Sequence, residues 1–97
     1  MATYAELFDL QNDSALRNRI AVAATVKAQD FLDSATPTAG QVAWSSATLD
    51  HPQASAKVLT RYVLATMKGK TPAEIAALTD NNIQAKVNKA ADVLAGV

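Results

Sequence analysis

Helix starts recur along this chain at short intervals, and nearly every one is followed by side-chain spacing that suits a helix and no other element. Thr3-x-x-Glu6 has capping-box spacing, with Tyr4, Leu7 and Phe8 on one face of a short first helix. Gln11-Asn12-Asp13 breaks that helix, and Asp13 or Ser14 then caps a second one running to about Asp33. Leu16, Ile20, Ala23, Ala24, Phe31 and Leu32 recur along it at helical spacing. Arg17, Lys27 and Asp30 fall between them and are expected to face water.

Ser34-Ala35-Thr36-Pro37 is the next break. Thr36 as cap and Pro37 in the first helical position predict a third helix, because proline's missing N–H has no partner to lose there. Val42, Ala43 and Ala47 give that helix a weak apolar stripe with Trp44 beside it, and Gly40 weakens it further. Asp50-His51-Pro52 opens a fourth helix whose expected buried face is Val58, Leu59, Tyr62, Val63 and Met67, and Lys68-Gly69-Lys70 ends it. Thr71-Pro72-Ala73-Glu74 combines a capping box with a leading proline, the clearest start in the sequence. Asp80-Asn81-Asn82 recaps, Ile83, Val87, Ala90 and Leu94 line one face of a last helix, and Gly96 terminates it. No run of alternating β-branched residues interrupts the pattern. The fold class is therefore all-α, a compact bundle of about five to six short helices forming one domain over 1–97.

Composition sets the thickness of the core. A chain of 97 residues buries only about 60–65% of the surface it exposes when unfolded. Alanine is its commonest residue, and Tyr4, Phe8, Phe31, Trp44 and Tyr62 are its five aromatics. Alanine-rich faces let helices approach closely but remove little apolar area each, so neighbours are expected to contribute to stability. The longest uninterrupted apolar run, Ile20 to Ala24, is far short of the ~20 residues that span a bilayer. Residues 1–6 show no basic and apolar leader pattern, so no membrane association is expected and synthesis is expected in the cytoplasm.

The inventory for chemistry is poor. There is no cysteine, the one histidine, His51, sits between Asp50 and Pro52 at a helix entrance, and the three glycines are widely separated. These exclude a thiolate nucleophile, a metal site of ordinary ligand spacing and a phosphate-cradling loop. His51 reads as an exposed turn residue that helps cap the fourth helix. The carboxylate pairs Asp30/Asp33 and Glu6/Asp9 read as parts of solvated helix faces, since no apolar pocket is implied that would separate their pKa values. No catalytic residue, cofactor or metal is expected, and the chain reads as a non-enzyme.

Binding surfaces are a different matter. Nine basic and nine acidic residues balance to zero, which argues against a dedicated nucleic-acid binder. Locally, Lys57, Arg61, Lys68 and Lys70 make one basic stretch, with Lys57 and Arg61 on a shared helix face. That stretch suits phosphate or an acidic partner, or simply a wet helix flank whose last-turn lysines complement the helix dipole. Trp44 and Tyr62 are either core fillers or interface anchors. Residues 71–95 also have the outline of a helix-turn-helix, with Gln84, Lys86 and Lys89 on its last helix. Its turn, Thr79-Asp80-Asn81, lacks the usual glycine, and the spacing from Ala76 to Ile83 is short.

The opening Tyr4-Ala5-Glu6-Leu7-Phe8-Asp9-Leu10 and the stretch Ala15-Leu16-Arg17-Asn18-Arg19-Ile20-Ala21-Val22-Ala23 resemble small alanine-rich helical proteins encoded among the virion genes of tailed bacteriophages. Trp44, the Pro52 helix start and the Ile83-to-Leu94 helix are similar to them too, so the likeness runs over nearly all 97 residues and is carried by helix-patterning motifs. The resemblance implies a non-enzymatic structural part of the capsid, the neck or the head–tail connector, located in the virion. It implies partners that are other copies of the chain, in a ring or shell, and portal, tail or capsid proteins. Trp44, Lys57, Arg61 and Tyr62 are the expected contact residues. The alternatives are a small DNA-binding regulator using residues 71–95 and a generic helical adaptor.

Overall fold

The computed structural model describes residue 10, residues 12–67 and residues 69–96. The helix expected after Thr3 lies outside them. Among the described residues there are five helices and no strand: α1 Ser14–Asp33, α2 Ala39–Asp50, α3 Pro52–Ala65, α4 Pro72–Ala76 and α5 Asp80–Leu94. The all-α expectation holds.

Each start has a chemical cause. The Asp13 carboxylate accepts the Leu16 N–H at 3.1 Å and opens α1. α2 opens at Thr38, two residues later than the expected Thr36. A capping box needs a side chain three residues on that can reach back. Thr36 has Ala39 there, whereas Thr38 has Gln41, whose carbonyl accepts the Thr38 N–H at 2.9 Å. α3 starts at Pro52, preceded by His51, which is exposed and makes no capping bond through its side chain. The expected capping role of His51 is thus not seen; the fixed φ of Pro52 makes the start without it. Thr71 and Glu74 form the expected reciprocal box on α4. The α5 cap is Thr79, one residue before the expected Asp80, and its hydroxyl accepts the Asn82 N–H at 3.2 Å. Gly96, at φ +79°, takes the left-handed conformation that closes α5.

α1 is the hub. It packs against α2, α3 and α5, burying Leu16, Ile20, Ala24, Ala28 and Phe31 among other residues. α5 runs parallel to it: Arg19 meets Asp80, the Ala23 carbonyl meets Gln84, and Lys27 meets Asp92, the numbers rising together on both helices. Ile20, Leu59, Val63, Met67, Ile75, Ile83 and Val87 fill the centre. The fully buried Ala24, Ala28, Ala56 and Ala91 allow the helices to close around them. Extents of 42 × 20 × 20 Å describe a body about two helix diameters thick.

Two helices present other faces than their apolar residues predict. In α2, Val42, Ala43 and Ala47 are exposed, and Ser45 and Thr48 are buried instead. The half-buried Trp44 ring meets Phe31 edge-on, centroids 5.8 Å apart at 87°, and this contact sets the rotation of the helix. In α3, Val58 and Tyr62 are exposed, while Ala56, Thr60 and Leu64 join Leu59 and Val63 inside. Two of these, Ala56 and Thr60, are small, which suits a helix that lies against α1, α2 and α5 together. Thr60 is admitted because its hydroxyl donates to the Ala56 carbonyl within the same helix. Two cations expected in water are also drawn in. Arg17 is half-buried, and Lys27, with its side chain only 17% exposed, places its ammonium 4.4 Å from the centre of the Phe31 ring and 3.3 Å from Asp92.

Candidate interaction surface

The four residues expected to make contacts do not share one face. Trp44 belongs to the core margin, packed on Phe31 and on both buried clusters. Lys57 and Arg61 are exposed one turn apart on α3. Tyr62 lies about 100° further round the same helix, so its ring leaves on a different flank.

Tyr62, 42% exposed, lies along a groove of about 250 Å³ between α3 and α5. The floor is Val63 and Ala90; Val93, 58% exposed, and Thr66 continue the wall, and Lys86 and Lys89 stand on the α5 side. Sequence reasoning placed Lys86 and Lys89 on a DNA-reading helix and passed over Val93. A usable signal was present: 86, 89 and 93 share the flank of α5 opposite the one carrying Gln84 and Asn88.

The other flank of α5 is occupied. The Gln84 amide donates to the Ala23 carbonyl at 2.9 Å and to Asn88 at 2.8 Å. A second groove of about 250 Å³ runs there, lined by Arg19, Val22, Ala23, Asp80, Ile83 and Gln84. Its two charges are already joined, with Arg19 Nη2 2.9 Å from Asp80 Oδ1. The outer face of α1 rises beside it. Val22 is 67% exposed, Val26 follows one turn later, and Asp30 and Asp33 continue the same exposed side. Asp33 accepts a hydrogen bond from the Gln29 amide at 2.9 Å.

Titratable groups are dispersed. Among the described residues no three His, Cys, Asp or Glu side chains gather as a metal site would require, and no helix is long and apolar enough to cross a membrane. Glu74 has its carboxyl held below the usual range, chiefly by hydrogen bonds from the Thr71 backbone and hydroxyl, with Lys70 adding to the effect. That shift belongs to a helix cap.

The described surface offers an apolar groove with a basic edge and, on the far side of α5, an apolar ridge with an acidic end. Comparison of the chain with protein-family models, with curated proteins and with solved structures finds no match in any of the three.

Proposed function

We propose that this chain is a non-enzymatic structural part of a tailed-phage particle, at the head–tail junction, where copies pack into a ring against portal or tail proteins. Its location rests on the resemblance of residues 4–10 and 15–23, together with Trp44, the Pro52 helix start and the last helix, to small virion proteins of that kind. The observation that carries the mode of action is the exposure of Val22 and Val26 on one face and of Tyr62 and Val93 on another. A subunit inside a ring touches two neighbours through two different patches. A thin alanine core also gains stability when such patches are covered.

Binding of duplex DNA through residues 71–95 draws no support from the same geometry. Gln84 is turned to the Ala23 carbonyl, and the first turn of α5 is tied to α1 through Arg19. The test is composition. Quantitative mass spectrometry of purified particles is expected to find the chain at a fixed copy number matching a ring, and its absence from particles would overturn the reading.

A further inference from the structure

We infer that copies of this chain join head to tail, the outer ridge of α1 in one copy seating in the α3–α5 groove of the next. The inference deepens the ring reading given above and names its contact. Both surfaces belong to the described residues, and they lie on opposite flanks of α5, so one copy can use both at once.

The register is written in the spacing. Along α5 the groove's edge reads Lys86, Lys89, Val93, in steps of three and four residues. Read backwards, the α1 ridge is Asp33, Asp30, Val26, in the same steps. Two antiparallel helices therefore set Lys86 opposite Asp33, Lys89 opposite Asp30 and Val93 opposite Val26. A parallel arrangement would bring lysine against valine.

Charge complementarity selects the occupant. Among the described residues no carboxylate is ion-paired to Lys86 or Lys89, and no cation to Asp30 or Asp33. A second copy supplies opposite charge at the required spacing and a valine where the groove is apolar. Because the two patches differ, the contact is heterologous and propagates into a ring if the rotation closes. One helix seated in one groove falls below the ~1,200 Å² of a standard stable interface, so each contact is weak and the closed assembly holds it.

The test is sedimentation of the full chain at concentrations up to ~1 mM, the weak end of the affinity scale. The expected result is a mass that rises past the dimer and falls again in high salt, where exposed charges are screened. Lys86→Glu with Lys89→Glu, and separately Asp30→Lys with Asp33→Lys, are each expected to weaken association by about tenfold or more. Mixing the two variants is expected to restore association in alternation, since the glutamate groove of the first meets the lysine ridge of the second and the native groove of the second meets the native ridge of the first. Circular dichroism verifies folding, and Val26→Ser gives an independent route if a charge-reversed chain fails to fold; it too is expected to weaken association.

A wild-type chain that stays monomeric, association untouched by charge reversal, or a mixture that is not rescued overturns the inference. A chain monomeric alone but present in particles at fixed copy number removes this contact and leaves the particle reading standing. Self-association with absence from particles does the reverse.

Discussion

Arg19 holds the entrance of α5 at two points: its Nη2 donates to the Leu78 carbonyl, at 2.6 Å, and to the carboxylate of Asp80, the first residue of the helix, at 2.9 Å. Those partners lie 59 and 61 residues away in the chain. The two bonds differ in worth. Asp80 is 90% exposed on its side chain, so that ion pair is screened, whereas the bond to the Leu78 carbonyl is partly buried. Arg19→Ala is therefore expected to cost about 1–2 kcal/mol in urea unfolding, and Asp80→Asn less than about 0.5 kcal/mol. Equal losses from the two variants would show that the carbonyl bond is not the stronger of the pair.

Ser45 is buried in α2 with no hydrogen-bond partner for its hydroxyl among the described residues. Replacing it removes a desolvated polar atom and adds helix propensity, so Ser45→Ala is expected to stabilise by about 0.5–1.5 kcal/mol. Thr48 is the internal control. It is equally buried, but its hydroxyl lies 2.8 Å from that of Ser55, and Thr48→Val is expected to destabilise. Thermal unfolding of both variants distinguishes the two environments.

Gly40 sits in the first turn of α2 at the C-terminal end of α5, where an added Cβ would collide with the Ala95 carbonyl. Gly→Ala inside a helix ordinarily stabilises by about 1 kcal/mol. Here the sign reverses, because the obstacle is backbone. Gly40→Ala is expected to lose about 1–3 kcal/mol, while Gly69→Ala, where nothing lies within 4 Å, is the tolerated comparison. A melting temperature for Gly40→Ala at or above wild type would contradict this account of the close approach.

The cap of α4 should respond to acid. Glu74 is depressed by its bonds from Thr71 and by Lys70. A carboxyl whose folded pKa lies below its unfolded value contributes stability that is present above the unfolded pKa and is lost as pH falls through the folded one. Amide exchange at Thr71 and Glu74 is therefore expected to quicken in acid, relative to intrinsic rates, below the ordinary carboxylate range. Glu74→Gln retains a reaching-back acceptor, as Gln41 does for Thr38, and is expected to remove that pH dependence while preserving α4.

Trp44→Ala is expected to cost about 2–3 kcal/mol of stability, the loss from a partly buried aromatic, because the ring fills the space against Phe31. Tyr62→Ala, whose ring lies along an open groove, is expected to change stability by less than about 1 kcal/mol. Denaturation of the two variants separates a residue of the core from one of the surface.

Local chemistry was legible wherever two side chains decide an outcome by themselves. The Thr71 and Glu74 box, the Pro52 start and the Gly96 stop are pairwise or single-residue effects, and all lie where the sequence puts them. The start of α2 lies two residues beyond the Thr36–Pro37 signal because Gln41 can close a capping box on Thr38 and Ala39 cannot close one on Thr36. Helix rotation was harder to read, since it depends on partners distant in the chain. Val42 and Val58 are apolar and exposed, and Ser45 and Thr60 are polar and buried. Phe31 meets Trp44 across α1 and α2, and Thr60 is accommodated between three helices by its bond to the Ala56 carbonyl. The separation of Tyr62 from Lys57 and Arg61, by contrast, follows from spacing alone, one residue being about 100° of helix.

The parallel pairing of α1 with α5 has a consequence for the order of events during synthesis. Residues 80–92 lie along residues 19–27, so α1 keeps one side uncovered until α5 has been made. Hairpin-like packing of α2 back on α1 can form early, but the enclosing contacts join segments about sixty positions apart, a separation that slows closure. A nascent chain paused after α3 is thus expected to leave the α5-facing side of α1, with Ile20, Ala24 and Phe31, without its cover.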